Sequence, residues 1–342
     1  MLTYTFVPYL REIFLKIITI ISQKIHKFNS RFGGAYILFR YILKRFFVSL
    51  ITIWILATLT FFLVRILPGD PFTSEKITPE IKANMMKYYG LDKPLPVQYA
   101  TYMGNLVKGD MGYSLRYKNR EVNNIIADAF PASAELGIRS LAFSVTVGLI
   151  LGIIAALNHN KGWDYASMVI AVIGVSVPSF VIGALVQYLF GIHWKLLPVA
   201  QWKSFAHTIM PTFSLGLGTL ALIARLMRTS MLEVVGQDYI KTAKAKGLSP
   251  AQVTIKHQIR NAILPVVTVL GPLVAALLTG TFVVEQIFAI PGLGRHYVLS
   301  IQNLDYTMVM GLTIFFGAFL VFMNFIVDIA YGLVDPRIRV GK

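Results

Sequence analysis

Cysteine is absent, which excludes disulfides, thiolate metal ligands and thiol nucleophiles. Acid is scarce too: 16 Asp and Glu stand against 32 Lys and Arg, for a net charge of +16. Charged residues of both signs make up only 14% of the 342 residues, where a soluble domain carries roughly 25%. There is no G-x-x-x-x-G-K-[ST] phosphate loop, so the chain has no recognisable ATP site of its own. No H-E-x-x-H pair, paired-carboxylate constellation or G-x-S-x-G elbow occurs, and the six histidines are dispersed. Neither catalysis nor a bound cofactor or metal is expected of this chain alone. What dominates is apolar surface, 56% of the residues, gathered in uncharged runs of about the 20 residues that cross a hydrocarbon core. The reading is an all-α, multi-pass membrane protein. Its basic balance is then explained by orientation in the bilayer, with no nucleic-acid partner.

Six spans are expected. Residues 1–40 form a cytoplasmic extension in which Leu10, Ile13, Phe14, Ile17, Ile18 and Ile21 recur at helical spacing among basic residues, a candidate interfacial helix. No cleavable signal peptide is expected there, since Lys16 interrupts the early apolar run. The first span lies within 41–68, from Phe46 to Val64, and ends at the LPGDP turn. An external loop follows over 69–131, with a short helical pattern near Pro79 to Tyr89. A core of five further spans occupies 132–333, and 334–342 form a cytoplasmic tail. Its second span runs from about Leu136 to Leu157, with Gly148 and Gly152 at a spacing that lets helices approach closely. The third, Tyr165 to Ile192, is too long for one straight crossing and contains Pro178, which predicts a kink or break. The fourth is His207 to Ala224, the fifth Ile263 to Val284, and the sixth about Met308 to Val327. The short loops on one side carry only Lys195, Lys203 and Arg295, while most other basic residues fall on the side of the termini. The positive-inside rule therefore places both termini in the cytoplasm.

The segment Gln237 to Pro265 is charge-rich between two apolar runs. It predicts a first short helix through Ala245, a stop at Gly247 in the left-handed region, then a second helix capped by Ser249 with Pro250 at its first position. A DNA-binding helix–turn–helix is disfavoured because spans lie close on both sides; docking onto a cytoplasmic protein is favoured. Arg139, Glu285 and Asp328 are the ionisable residues at or near span ends, where structural roles are expected above ion coupling. Pro178, Pro211 and Pro272 mark candidate bends along a solute pathway.

This segment resembles the EAA loop of ABC-importer permeases, with Lys241, Thr242 and Ala243 in the E-A-A places and Gly247 at the glycine. The glutamate is replaced by lysine, so that acid's salt-bridge role does not carry over. The run SMLEVVGQDYIKTAKAKGL, then HQIRNAILP, is similar to the oligopeptide and dipeptide permease family, of the first-permease type. So are RYILKRFF, FFLVRILPGDPF, YYGLDKPLPVQYATYMGNLVKGDMGYSLR, VSVPSF, FVVEQIFAIPGLGR and VDIAYGLVDPRIR. The resemblance implies a type I ABC-importer permease fold in the bacterial cytoplasmic membrane. It implies a second homologous permease, two cytoplasmic ATPase subunits that bind the ATP, an external binding protein and a peptide substrate; some members carry nickel or other small solutes. The ATPase-coupling loop would lie within 229–262, with Asp238, Lys241, Thr242, Ala243, Lys244, Ala245, Lys246, Gly247, His257 and Arg260 as its candidate residues. Replacing Gly247 with Asp or Val is predicted to abolish transport while the chain stays inserted. An ion-coupled carrier and a membrane anchor or receptor are the alternatives from other classes.

Overall fold

The computed structural model describes residues 34–66, 92–117, 120–278 and 282–334, without the side chains of 34–38 and 330–334. The expected interfacial helix near Leu10 and the helical pattern at Pro79 to Tyr89 lie outside the described residues. Among the described residues there is no β-strand, only an isolated bridge between Tyr113 and Glu121.

The helices are α1 (Gly34–Ile66), α2 (Leu95–Val107), α3 (Val122–Leu157), α4 (Gly162–Ser176) and α5 (Ser179–Val186), the last continued by a π-helical turn, Gln187–His193. Next come α6 (Phe205–Val235), α7 (Asp238–Ala245) and α8 (Pro250–Gln252), a second π-helical stretch, Val253–Ile259, and α9 (Arg260–Ala262). The chain closes with α10 (Leu264–Leu278), α11 (Phe282–Ile287), α12 (Leu293–Gln302) and α13 (Tyr306–Val334). Five stretches are long and apolar enough to cross a membrane: Phe39–Ile66, Val122–Leu157, Phe205–Val235, Leu264–Ile287 and Tyr306–Ile329. A sixth crossing is made if Gly162–Ser176 and Ser179–His193, bent by 107°, count as one broken span.

That break has a local cause. A residue before proline is driven to extended backbone, and Val177 takes φ −99°, ψ 124°. Pro178 then caps α5, its carbonyl accepting from the Val181 and Ile182 amides at 3.0 and 3.2 Å. Pro211 and Pro272 behave differently, since α6 and α10 run through them. Each removes one i to i−4 bond without ending its helix.

The chain divides into two compact units. In the first, Met1–Trp54 with Val321–Lys342, Arg45 pairs with Asp328 at 2.9 Å and Phe46 packs on Phe325. In the second, Ile55–Leu320, α3 and α6 form the axis. A Cβ on Gly148 would lie 2.9 Å from the Leu220 carbonyl oxygen, and one on Gly152 2.6 Å from that of Ala224. The glycine spacing expected to bring helices together therefore meets α6 at the matching four-residue spacing. Around this contact Ile223, Met227, Met231, Ala156, Ala262 and Val266 are buried together.

Helix α3 begins at Val122, well before the apolar run at Leu136, and passes through Pro131. Its polar first turns look like loop in sequence. They are helical because Val122, Ile125, Ile126 and Ala129 are buried against Leu293, Met308 and Leu312. Two further contacts order the stretch before α3. Asp305 is fully buried, accepts from the Leu115 amide at 3.1 Å and from the Ser114 hydroxyl, and caps α13 through the Met308 amide at 3.1 Å. Helix α2 lies on the end of α1, with Tyr99 bonded to Thr58 at 2.7 Å and edge-on to Phe61.

Candidate functional site

The candidate site is α7 and its flanks. Gln237 enters with extended backbone, and Asp238 and Lys244 place opposite charges at the helix ends that favour them. Ile240 and Ala243, one turn apart, are buried with Val253, and Val234 and Leu248 pack on the cluster. This apolar stripe seats α7 on the second half of the segment. Asp238, Tyr239, Lys241, Thr242, Lys244, Ala245 and Lys246 are left exposed.

The turn after α7 is strictly built. Gly247 has φ +76°, its amide bonds the Lys244 carbonyl at 3.0 Å, and the Lys246 amide bonds that of Thr242 at 3.0 Å. Among the described residues, no neighbouring atom lies within 4 Å of a Cβ added to Gly247. The residue is required by backbone conformation alone, because a left-handed L-residue costs roughly 1–2 kcal/mol. Ser249 makes a capping box: its hydroxyl accepts from the Gln252 amide at 3.4 Å, and its own amide bonds Gln252 Oε1 at 3.2 Å. Such a cap stabilises a helix start by about 1 kcal/mol. Pro250 occupies the first helical position, as its missing N–H allows. His257, half-buried, gives its carbonyl to Asn261 at 2.8 Å, and Arg260 is exposed.

Lys241, where the general pattern carries glutamate, pairs with Asp238 at 2.9 Å across one turn. Both side chains are mostly in solvent, so the pair adds little to stability. The outward face of α7 is consequently basic.

A recess of about 280 Å³ lies beside the α4–α5 break, lined by Gly174, Val177, Ser179, Ser214, Thr219 and Ala276 among others. Pro178 sits between two lining residues. Pro211 and Pro272 each lie about one turn from one, Ser214 and Ala276.

The ionisable residues singled out in the spans all have structural partners. Arg139 pairs with Glu135 at 2.6 Å, and Asp328 with Arg45. Glu285 is fully buried; its Oε1 accepts from Ser133 Oγ at 2.7 Å and its Oε2 from the Gly294 amide at 2.8 Å. Ser133 Oγ in turn accepts from the Leu293 amide at 2.9 Å, so the two side chains together hold the start of α12. Asp164, by contrast, escaped the sequence reading. It is 2% exposed and bound by Arg228 at 2.6 and 2.8 Å. It lies in a short polar turn, and Arg228 stands near Arg225 towards the polar end of α6, so nothing local marks the two as partners.

A family model described as "Binding-protein-dependent transport system inner membrane component" matches residues 148–340, and the corresponding N-terminal model matches residues 38–137. The chain belongs to this family and is a multi-pass inner-membrane permease subunit of the ABC-importer class, with its all-helical fold. Its relatives include the "Dipeptide transport system permease protein DppB" of Bacillus subtilis, 48% identical over 89% of this chain and 99% of that one. The "Oligopeptide transport system permease protein OppB" of Haemophilus influenzae is 45% identical over 88% and 99%. The protein of the same description from Escherichia coli is 40% identical over the same shares.

Proposed function

We propose that the protein conducts peptides across the bacterial cytoplasmic membrane, pairing with a second, similar permease around a shared path. End-to-end likeness to dipeptide and oligopeptide permeases carries this reading, at 48% identity over 304 residues in the first case. On it, two cytoplasmic ATPase subunits supply the energy and an external binding protein delivers the substrate. The termini and α7 face the cytoplasm, in accord with the basic residues on that side.

The seating of α7 supports its assignment as the coupling helix. Apolar Ile240 and Ala243 anchor it to the chain, so the exposed residues Lys241, Thr242, Lys244, Ala245 and Lys246 are presented to an ATPase cleft. Gly247 ends α7 in the left-handed region and sets the angle of presentation. Asp238, at the start of α7, and His257 and Arg260, in the second half of the segment, complete the candidate loop. Closure of the ATPases on ATP would displace α7, shifting the spans between inward- and outward-open states. The bend at Pro178, with Pro211 and Pro272 inside α6 and α10 as candidate flexible points, is where the path would open.

The test is purification of the intact complex, identification of co-purifying chains by mass spectrometry, and reconstitution into liposomes. Uptake of isotope-labelled alanine peptides of graded length, dependent on ATP and binding protein, is expected. Uptake of nickel and not peptide would move the substrate assignment. Uptake that survives removal of the ATPases and collapses with the proton gradient would identify an ion-coupled carrier.

A further inference from the structure

Asp164, buried in the first turn of α4, accepts from Arg228 Nε at 2.6 Å and Nη2 at 2.8 Å. It also accepts from the Asn160 amide at 3.0 Å, with His159 Nδ1 at 3.2 Å. Arg228 lies about two turns before α6 ends at Val235, and α7 follows at Asp238. At its other end α4 meets α6 again, where a Cβ on Gly174 would be 2.7 Å from the Leu217 carbonyl oxygen. Just beyond, the chain bends by 107° into α5. Helix α4 is thus tied to α6 at both ends: by a charged fork near α7, and by close backbone packing beside the recess.

These two ties differ in kind. Packed apolar helices can slide against each other by a turn. A bidentate arginine–carboxylate pair is directional and holds one register. Burying a carboxylate against a partly exposed guanidinium adds little net stability compared with an apolar pair of the same volume, which leaves fixed geometry as the use of this one. We propose that Asp164 and Arg228 form a positioning clamp that carries displacement of α7 and the end of α6 into α4, and so to the break at Val177–Pro178. The proposal rests on the reading that α7 docks on an ATPase.

Removing one partner leaves a buried unpaired charge and destabilises the chain whatever its part in transport. The deciding variant therefore removes both charges, Asp164→Asn with Arg228→Met. It keeps an acceptor for the Asn160 amide and a long apolar stem in place of the guanidinium. In the reconstituted complex with its ATPases and binding protein, three quantities are measured: ATPase co-purification, ATP hydrolysis, and uptake of labelled alanine peptides. The double variant is expected to assemble and hydrolyse ATP as the unmodified complex does. Its uptake per ATP should fall about tenfold, within the range of coupling between linked sites. Arg228→Lys, which keeps the charge without the fork, should fall between the two. Unchanged uptake per ATP in an assembled double variant would overturn the clamp. So would a double variant that no longer assembles, since the pair would then serve the fold and not transmission. If the unmodified complex contains no ATPase, the docking reading fails first, and that is visible before any variant is made.

Discussion

At the scale of single residues, Glu285 and Gly247 show how differently two demanding positions are specified. Glu285 is defined by its partners: Ser133 Oγ and the Gly294 amide both donate to it inside the protein. Glu285→Ala leaves two donors unmade, at about 1–3 kcal/mol each, and should lower the thermal midpoint of the detergent-solubilised chain markedly. Glu285→Gln retains an acceptor and should cost less. Gly247 is defined by its own backbone at φ +76°, in open space. The expectation that Asp and Val there are equally damaging is thereby refined. Gly247→Asn or →Asp, which tolerate the left-handed region, should retain more ATPase association and uptake than β-branched Gly247→Val. Equal loss in all three would point to a side-chain clash with the partner. His296, on α12, presents its ring edge-on to Tyr117, and its buried Nδ1 has no hydrogen-bond partner among the described residues. Burial, reinforced by nearby Arg295 and Arg120, pushes its pKa below the ordinary 6.5. The neutral form is favoured by the fold, so this contribution to stability is present above the ordinary value and lost as the pH falls through the folded one. Thermal midpoints measured from neutral to mildly acidic pH should decline, and His296→Gln should flatten part of that decline.

At the scale of elements, the two alanines of α7 separate seating from docking. Ala243 is buried in the cluster with Ile240 and Val253, whereas Ala245 is exposed. Ala243→Asp should loosen α7 and raise protease sensitivity in the segment. Ala245→Trp should leave the isolated chain as stable as before but reduce ATPase co-purification. The reverse pattern would mean that α7 presents another face. Pro178 is the matching test on the pathway side: Pro178→Ala removes the restraint holding Val177 extended, and reduced peptide uptake with unchanged assembly is expected. The turn chemistry of this segment was readable in sequence because glycine, serine and proline act through local backbone geometry. The start of α3 was not, because Pro131 and the polar residues around it argue locally for loop. Only burial of Val122, Ile125 and Ile126 against α12 and α13 overrides them.

At the scale of the whole molecule, the absence of cysteine makes orientation directly measurable. Single cysteines at Lys161 and at Lys203 should differ in intact cells, the second reacting with an impermeant thiol reagent and the first only after permeabilisation. Labelling of Lys161→Cys from outside would invert the proposed topology. Composition, run length and charge asymmetry were enough, from the sequence by itself, to establish a multi-pass helical membrane protein with one exposed, well-capped polar segment. Those properties are local or additive along the chain, since each span must satisfy its own backbone hydrogen bonds in lipid. Tertiary structure alone decided which glycines meet which carbonyls, that α6 and α10 run on through Pro211 and Pro272, and that Asp164 finds Arg228 at a separation of 64 residues. Pairings of that kind depend on where distant segments come together, and no local pattern in either segment encodes its partner.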